Sequence, residues 1–377
     1  MKKVLVPRIR FKGFSEVWKE DTIGNIATIT NGKSNTSDNN KWGQYNLYIR
    51  SEEIYKSNKY IFDVEGVITV GDGNIGKIFH YVNGKFDLHQ RCYLIYEFQN
   101  IWPKYFYYYF SQNFYKRAIL MSYTATVNSI RMNTITDMDI MFPKELIEQQ
   151  KIGKLLENID NLISLEEIKL NKLKQLKETL LQKMFPDGNS KTPRIRFKEF
   201  EGEWKEERLD DIFKVITGGE PPKNYKNSKH PVGKYKYPIY SNGQEANAIW
   251  GFSDNYSINT EAITISSIGT IGFPVVRKMF FTPIIRLKTL LPYNKNMNIN
   301  FLNLSVSQIN FSFNQAGIPS MNSNQLKDNI ILISRNFSEQ QKIGDFFSKI
   351  DSLINLYNSK LNKLKQIKEA LLQKMFV

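Results

Sequence analysis

Over residues 148–185 the apolar positions recur with a period near seven. Ile152, Ile159, Leu173 and Leu180 form one row; Leu155, Leu162 and Leu176 follow at three residues, and Leu156, Ile163, Leu170 and Met184 at four. This spacing predicts one long amphipathic helix whose apolar stripe is a coiled-coil seam broadened on one side. Residues 339–376 repeat the stripe with Ile343, Ile350, Leu364 and Leu371, with Phe346, Leu353 and Ile367, and with Phe347, Ile354, Leu361 and Met375. Glu166 and Tyr357 interrupt it at matching positions. At about 1.5 Å per residue each helix reaches roughly 57 Å. Ser338 and Gln341 form an expected capping box at the start of the second helix, and Phe185-Pro186-Asp187-Gly188 closes the first. A helix of this length with one apolar stripe needs a partner. The nearest is its own copy, which predicts an antiparallel coiled coil within the chain; a coil between two chains is the alternative.

The two helices are copies. EQQKIGKLLENIDNLISLEEIKLNKLKQLKETLLQKMF and EQQKIGDFFSKIDSLINLYNSKLNKLKQIKEALLQKMF agree at 26 of 38 positions with a fixed offset of 191. PRIRFKGFSEVWKE from Pro7 and PRIRFKEFEGEWKE from Pro193 agree at 10 of 14. The repeating unit is therefore an entry segment, a globular stretch and a helix, written twice. The blocks run 1–147, 148–185, 186–338 and 339–377. Trp18 and Trp204 read as anchors under each globular stretch. The entry arginines, Arg8 and Arg10, Arg194 and Arg196, could meet either phosphates or nearby glutamates.

The globular stretches change period. Tyr48-Ile49, residues 67–70, 75–79 and 92–96 are short alternating runs bounded by Thr30-Asn31-Gly32 and Val82-Asn83-Gly84, which is strand and hairpin grammar. WPKYFYYYFSQNFYKRAIL, 102–120, reads as an aromatic core helix in preference to a platform for stacking bases. A polar loop, a short helix and a last strand at 139–142 follow. In the second stretch Leu209-Asp210-Asp211-Ile212 precedes Ile216-Thr217-Gly218-Gly219 as residues 23–26 precede 29–32, and AITISSIGTIGF at 262–273 matches the run ending Gly73-Asn74-Ile75-Gly76. The helices are nearly identical and the globular stretches are not. A duplicated frame carrying two diverged modules is the simplest account, and the fold class is mixed: two α+β domains separated by two long helices, in a pseudo-two-fold tandem repeat.

Charge narrows the partner. The net charge is +15, with +5 on residues 1–147 and +6 on residues 186–338. A basic balance points to nucleic acid, although Lys- and Asn-rich composition also follows from an A+T-rich genome. One cysteine, Cys92, excludes an internal disulfide and a cysteine metal cluster, and His80, His89 and His230 lack ligand spacing. The start, MKKVLVPRIRF, has no long apolar core, and no apolar run approaches the ~18 residues of a membrane span. A soluble, cytoplasmic protein with no membrane partner is expected.

Two motifs invite a catalytic reading and fail. Gly71-Asp72-Gly73-Asn74-Ile75-Gly76 spells a dinucleotide-binding pattern, but that fingerprint needs a helix next, and residues 77–86 carry no helical stripe. Its partner Ser267-Ile268-Gly269-Thr270-Ile271-Gly272 lacks the first glycine; both read as tight hairpin turns. Glu220-Pro221-Pro222-Lys223-Asn224-Tyr225 is distantly similar to the motif of amino-methyltransferases, but has Glu220 where Asn or Asp is needed and Lys223 where an aromatic is needed. No phosphate loop, nuclease-type carboxylate–lysine cluster or histidine triad accompanies them, so the chain reads as non-catalytic.

The PRIRF entries, the EQQKI helix starts, the KLNKLKQ and LLQKMF helix ends and the G-x-I-G turn in each globular half together resemble the specificity subunit of type I restriction–modification systems, over essentially the whole chain. The resemblance implies two target-recognition domains, each reading one half of an interrupted sequence in double-stranded DNA, with the paired helices fixing the spacing. It further implies two docked modification subunits carrying S-adenosylmethionine and the adenine methylation, restriction subunits with ATP and Mg outside them, and no cofactor or metal on this chain. Base-reading groups are expected at turns: Lys33, Arg50, Ser51, Asn74, Lys77, Asn128, Ser129 and Arg131 in the first domain, and Tyr240, Ser241, Asn242, Gln244, Thr270, Arg277, Ser320 and Asn322 in the second. Arginine to guanine and Asn or Gln to adenine are the pairings to expect. The competing reading is a coiled-coil scaffold whose basic domains bind protein.

Overall fold

In the computed structural model, residues 6–124, 128–187, 190–243, 248–315 and 317–376 are described. The chain divides into two compact units that cut across the sequence blocks. The first takes Met1–Glu167 with Ser359–Val377, and the second takes Ile168–Asn358. The long helices, Leu146–Met184 and Phe337–Met375, are 39 residues each, and each belongs half to one unit and half to the other.

Within each unit the start of one long helix runs antiparallel to the end of the other. In the first unit Asp160 pairs with Lys368 at 2.6 Å, Glu167 with Lys365 at 2.6 Å and Glu166 with Lys360 at 3.0 Å. In the second, Lys177 pairs with Asp351. The seam between them is narrower than the periodicity suggested. Ile152, Leu156, Ile159, Leu170 and Met184 are buried with Ile343, Phe347, Ile350, Leu361 and Met375. Leu162, Leu176, Leu353 and Ile367 remain 48%, 50%, 45% and 42% exposed, with Leu165 and Leu356 beside them. Two antiparallel rods cover only about one stripe of each other, so the broadened edge of the stripe is left uncovered.

Three residues of the shared EQQKIG at each helix start have defined partners. Glu148 takes a bidentate pair from Arg10 at 2.7 and 2.8 Å, and Glu339 takes one from Arg196 at 2.6 and 2.8 Å. Both glutamates are buried, so Arg10 and Arg196 are held by the helix, while Arg194 pairs with Asp187 at 2.5 Å. Gln149 accepts from the Trp102 N–H at 2.7 Å and donates to the carbonyls of Asn100 and Pro143 at 3.0 and 2.8 Å. Gln340 donates to the Ser334 carbonyl at 2.7 Å and accepts from the Asn298 N–H. Gly153 and Gly344 admit the next helix: a Cβ would lie 2.4 Å from the Trp102 ring or 2.1 Å from Asn298 Oδ1. The second helix is capped by Asn336, whose Oδ1 accepts from the N–H groups of Ser338 and Glu339 at 2.9 and 3.3 Å; the Ser338/Gln341 box expected from sequence does not form, and Gln341 bonds Asp345 instead.

The entry segments also cap the helix ends. The Ile9 N–H donates to the Lys374 carbonyl and the Ile195 N–H to the Lys183 carbonyl, both at 2.9 Å, satisfying acceptors that a helix terminus leaves open. Phe376 enters the first core edge-on to Tyr105 and Tyr109 at 5.5 and 5.7 Å. Phe185 enters the second, 5.3 Å from Trp204 and 5.7 Å from Phe301. Trp18 and Trp204 are buried anchors, as their place in the repeat suggests.

The sheets share one frame. In the first unit the strands run Thr28–Asn31, Cys92–Tyr96, Phe62–Val70, Phe79–Leu88, Tyr45–Tyr48 and Ile54–Ser57 across a single sheet. In the second, Phe213–Thr217, Lys288–Pro292, Ala262–Ser266 and Gly272–Arg277 repeat the first four positions. The counterpart of the long Phe79–Leu88 strand is broken there by a turn with Phe280 at φ 68°, so Thr282–Pro283 and Tyr237–Tyr240 fall into a separate four-stranded sheet. The Asn83-Gly84 pair, expected as a boundary, lies inside the Phe79–Leu88 strand, where Gly84 adopts φ 99°. The 75–79 run, expected as a strand, is mostly the turn between Phe62–Val70 and Phe79–Leu88. The aromatic helix Pro103–Leu120 is a core element, with Tyr105, Phe106, Phe110 and Phe114 fully buried; Ile299–Ser307 takes its place in the second unit.

Replacing Gly153 by Ala gains helix propensity of about 1 kcal/mol, but forces a methyl into the Trp102 ring. Overpacking of this kind costs about 1–3 kcal/mol. A urea melt is expected to show net destabilisation, and a variant as stable as the parent would mean that the helix and Trp102 part freely.

Candidate nucleic-acid interface

Each unit carries a glycine turn strapped by a distant loop. In the first, residues 71–78 join two antiparallel strands, as hairpin geometry requires, and Gly73 and Gly76 take φ 76° and 66°. Only glycine adopts that region without strain. The Gly73 N–H donates to the Asn128 carbonyl and the Ile130 N–H to the Gly71 carbonyl, both at 2.9 Å. In the second unit the Gly269 N–H donates to the Pro319 carbonyl at 2.8 Å and the Met321 N–H to the Ser267 carbonyl at 2.9 Å. The frames therefore superpose residue by residue, with Gly71 to Gly76 on Ser267 to Gly272 and Ser129 on Ser320. The same logic aligns Tyr48 with Tyr240, whose carbonyls accept from His89 and Ile284 at 2.9 Å. It aligns Cys92 with Leu287 and therefore Tyr93 with Lys288, paired across the sheet with Asn31 and Thr217.

Beside the first turn lies an open cleft lined by Thr36, Ile49, Arg50, Ser51, Asp72, Gly73 and Asn74. Arg50 Nη1 reaches both carboxylate oxygens of Asp72 at 3.1 and 3.2 Å, and its side chain is 46% exposed. Asn74 is exposed at the turn, and Ser51 Oγ donates to the Glu53 carbonyl. Asn128 and Ser129 belong to the strap. Arg131 precedes the Met132–Thr136 helix, with its carbonyl accepting from Thr134. Five of the eight expected residues thus converge on one turn: Arg50, Ser51, Asn74, Asn128 and Ser129. Lys33 is exposed at the strand end, and Lys77 lies over the Tyr115 ring at 5.4 Å.

A cleft also flanks the turn of the second unit, and the position it shares with the first is that of Asp72 and Ile268. Thr217, Ser267, Ile268, Arg286, Lys288, Ser320, Asn322 and Ser323 line it. Ile268 replaces Asp72, and Lys288 replaces Tyr93. Lys288 is only 4% exposed, and its Nζ donates to Thr217 Oγ1 and Ser323 Oγ at 2.9 Å each. Its pKa is lowered, first by burial and second by the charge of Arg286. Among the described residues no carboxylate pairs with it. Arg286 is exposed and adopts φ 60° directly after Ile285 at 50°, a left-handed pair that turns the chain at the cleft wall.

Several expected readers are committed elsewhere. Asn242 accepts from the Ser267 N–H at 2.8 Å and donates to the Ile285 carbonyl, so both ends of its amide hold the turn. Arg277 lies in a strand, 5% exposed, with Nε on Thr264 Oγ1 at 3.0 Å and its guanidinium 3.9 Å over the Tyr240 ring. Burial lowers its pKa, and the Tyr240 ring beneath it is half-buried. Asn322 caps the Ser323–Lys327 helix in a capping box with Gln325. Ser241 donates its N–H to Ala248, Thr270 is half-buried at the turn, and Ser320 lines the cleft. Gln244 lies outside the described residues.

The sequence reading missed Asp72, Arg286 and Lys288. A signal existed for the last: a lysine inside the apolar run Leu287-Lys288-Thr289-Leu290-Leu291 is out of place unless its ammonium has a role. Among the described residues there is no cluster that could hold a metal ion, and no helix is long and apolar enough to cross a membrane.

Residues 15–175 and 201–366 match the family model of the type I restriction modification DNA specificity domain. A Mycoplasma pneumoniae protein described as a type I specificity subunit is 27% identical over 360 residues, covering 92% of each chain. The specificity subunit of the Escherichia coli type I restriction enzyme EcoDI is 24% identical over 239 residues, 56% of this chain and 52% of that one. The crystal structure of a type I restriction–modification S subunit from M. genitalium has the same fold, with a TM-score of 0.74, 16% identity and 99% of both chains covered.

Asn242→Ala strands the N–H of the buried Ser267, worth about 1–3 kcal/mol when left unpaired, while the Ile285 carbonyl at the exposed chain turn can bond water instead. Unit-two stability is expected to fall by that order in thermal unfolding. Unchanged stability would return Asn242 to the pool of free readers.

Proposed function

The chain belongs to the type I restriction modification DNA specificity family, and from that premise we propose that each unit reads one half of an interrupted DNA target through the cleft at its glycine turn. One observation carries this. The two turns share a backbone frame down to individual hydrogen bonds, yet the side chains beside them differ: Arg50 lines the first cleft where Asn242 holds the turn of the second unit, Ile268 replaces Asp72, and Lys288 lines the second cleft where the first unit has the buried Tyr93. A frame held in common with contents that differ suits two readers with two specificities.

In the first unit, Arg50 is the base reader, held in aim by Asp72, with Asn74 and Ser51 beside it. Asn128, Ser129 and Arg131 extend the same surface. Lys33 and Lys77 contribute phosphate contacts, which give salt-sensitive affinity without sequence information. In the second unit Tyr240 supports the cleft from below, while Ser241, Thr270 and Ser320 line its approach. The net charge of +15 supports a polyanionic partner.

The half-exposed leucines of the long helices support docking of modification subunits. Leu162 and Leu165 on one helix repeat as Leu353 and Leu356 on the other, so two equivalent apolar strips exist for two equivalent partners. Adenine methylation with S-adenosylmethionine resides on those subunits, and ATP- and Mg-dependent cleavage on restriction subunits that join them. The length of the shared helices sets the separation of the half-sites.

Coexpression with the modification subunits and mapping of methylated adenines across a host genome tests the reading. An interrupted motif is expected, and Arg50→Ala should relax one half-site by roughly 1–3 kcal/mol of discrimination while leaving the other intact. Equal weakening on every sequence would make Arg50 a phosphate contact, and absence of any motif would favour a protein-binding scaffold. Leu162→Glu with Leu353→Glu should leave each unit folded but abolish copurification of the modification subunits; unimpaired copurification would place docking elsewhere.

A further inference from the structure

We propose that Lys288 is a specificity-determining residue of the second unit, and that with Arg286 it takes the acceptor-only edge of a guanine, N7 and O6, in that unit's half-site. This rests on the reading of the clefts as DNA readers and adds the base chemistry that one of them selects.

The argument begins with an ammonium in an unfavourable place. Lys288 opens the Lys288–Pro292 strand and is more than nine-tenths buried, and its partners are two neutral hydroxyls, Thr217 and Ser323. A buried charge ordinarily has an opposite charge beside it, because hydroxyls recover only part of the hydration it has lost. The charge that acts on it is another cation, Arg286, which lines the same cleft and pushes the Lys288 pKa the same way as burial does. The equivalent position in the first unit holds Tyr93, a neutral ring whose hydroxyl donates to the Ile130 carbonyl, so the frame itself does not need a cation here. The position equivalent to Asp72 is Ile268, which removes the carboxylate that could have neutralised it. Both Lys and Arg donate and cannot accept. Among the bases, guanine alone offers two acceptors and no donor on the exposed part of its major-groove edge. The first cleft, where Asp72 stands beside Arg50, mixes acceptor and donor and so suits a different base.

Lys288→Met separates this role from a structural one. Replacing a buried, uncompensated cation with an apolar chain of similar length should leave the melting temperature unchanged or higher. Ile268→Asp is the companion variant: it keeps Lys288 and adds a carboxylate at the position equivalent to Asp72. Full-length chain in complex with its modification subunits is used to select from duplexes carrying two randomised half-sites. In both variants the preference for guanine at one position of one half-site is expected to drop roughly tenfold or more, with the other half-site unchanged. Uniform weakening on all sequences, with a shallower salt dependence, would make Lys288 a phosphate contact and overturn the assignment. A lowered melting temperature with unaltered preference would make it structural and overturn it equally. A parent complex that selects no interrupted motif would remove the cleft reading itself, and this inference with it.

Discussion

The exchange of helix ends between the two cores is the constraint on which the rest depends. Phe376, near the last residue of the chain, packs against Tyr105 and Tyr109, and Phe185 packs against Trp204 and Phe301. Each core is thus completed by a helix that began in the other unit. Rings of this size contribute much of a core's apolar burial, so neither half of the chain holds a finished interior on its own. The entry segments secure the arrangement: their Arg10 and Arg196 bind the glutamates at the helix starts, and their backbone N–H groups bind the carbonyls at the helix ends. An Arg–Glu pair is weak evidence for stability when buried. Its value here is positional, because a planar, bidentate contact fixes the direction in which the chain enters the helix.

Conservation between the two halves follows the contacts. The glutamate, first glutamine and glycine of EQQKIG each have a partner whose loss would leave a buried group unsatisfied or a ring displaced, and they are identical in both copies. The turn glycines at 73 and 269, and at 76 and 272, are shared because only glycine tolerates their positive φ. Where the frame makes no such demand the halves part: one strand becomes two around Phe280, and the side chains facing each cleft change polarity. Physical tolerance, rather than location in the sequence, separates what is common from what differs.

The cleft chemistry is a balance between fold and function. Asp72 is partnered by Arg50, so the first cleft is electrostatically quiet when empty. The second holds Lys288 against two hydroxyls with Arg286 nearby, an arrangement that favours the arrival of an acceptor. A buried cation held only by hydroxyls departs from the most stable solution for a strand position, and the neighbouring Thr289 hydroxyl is also buried without a partner among the described residues. Asn242 and Arg277, by contrast, are polar groups that the fold consumes.

The repeat, the two long helices and the strand-rich globular halves were legible in the sequence, because a coiled-coil stripe and a 38-residue self-match are signals that accumulate along the chain. So was the rejection of the dinucleotide fingerprint, since residues 77–86, directly after Gly76, carry no helical stripe. The narrower seam was not legible: periodicity marks which face is apolar, but only the partner's width decides how much of it is covered. Nor could sequence tell Arg50 from Arg277 or Ser320 from Asn242, because polar residues near turns look alike until their hydrogen bonds are drawn. Those bonds join residues far apart in the chain, as the Asn242 amide does with Ser267 and Ile285. The sequence by itself determined the elements and their doubling, through local periodicity and repetition. The tertiary structure alone decided which polar groups the fold uses up and which it leaves to meet a ligand, because that depends on neighbours that sequence distance does not reveal.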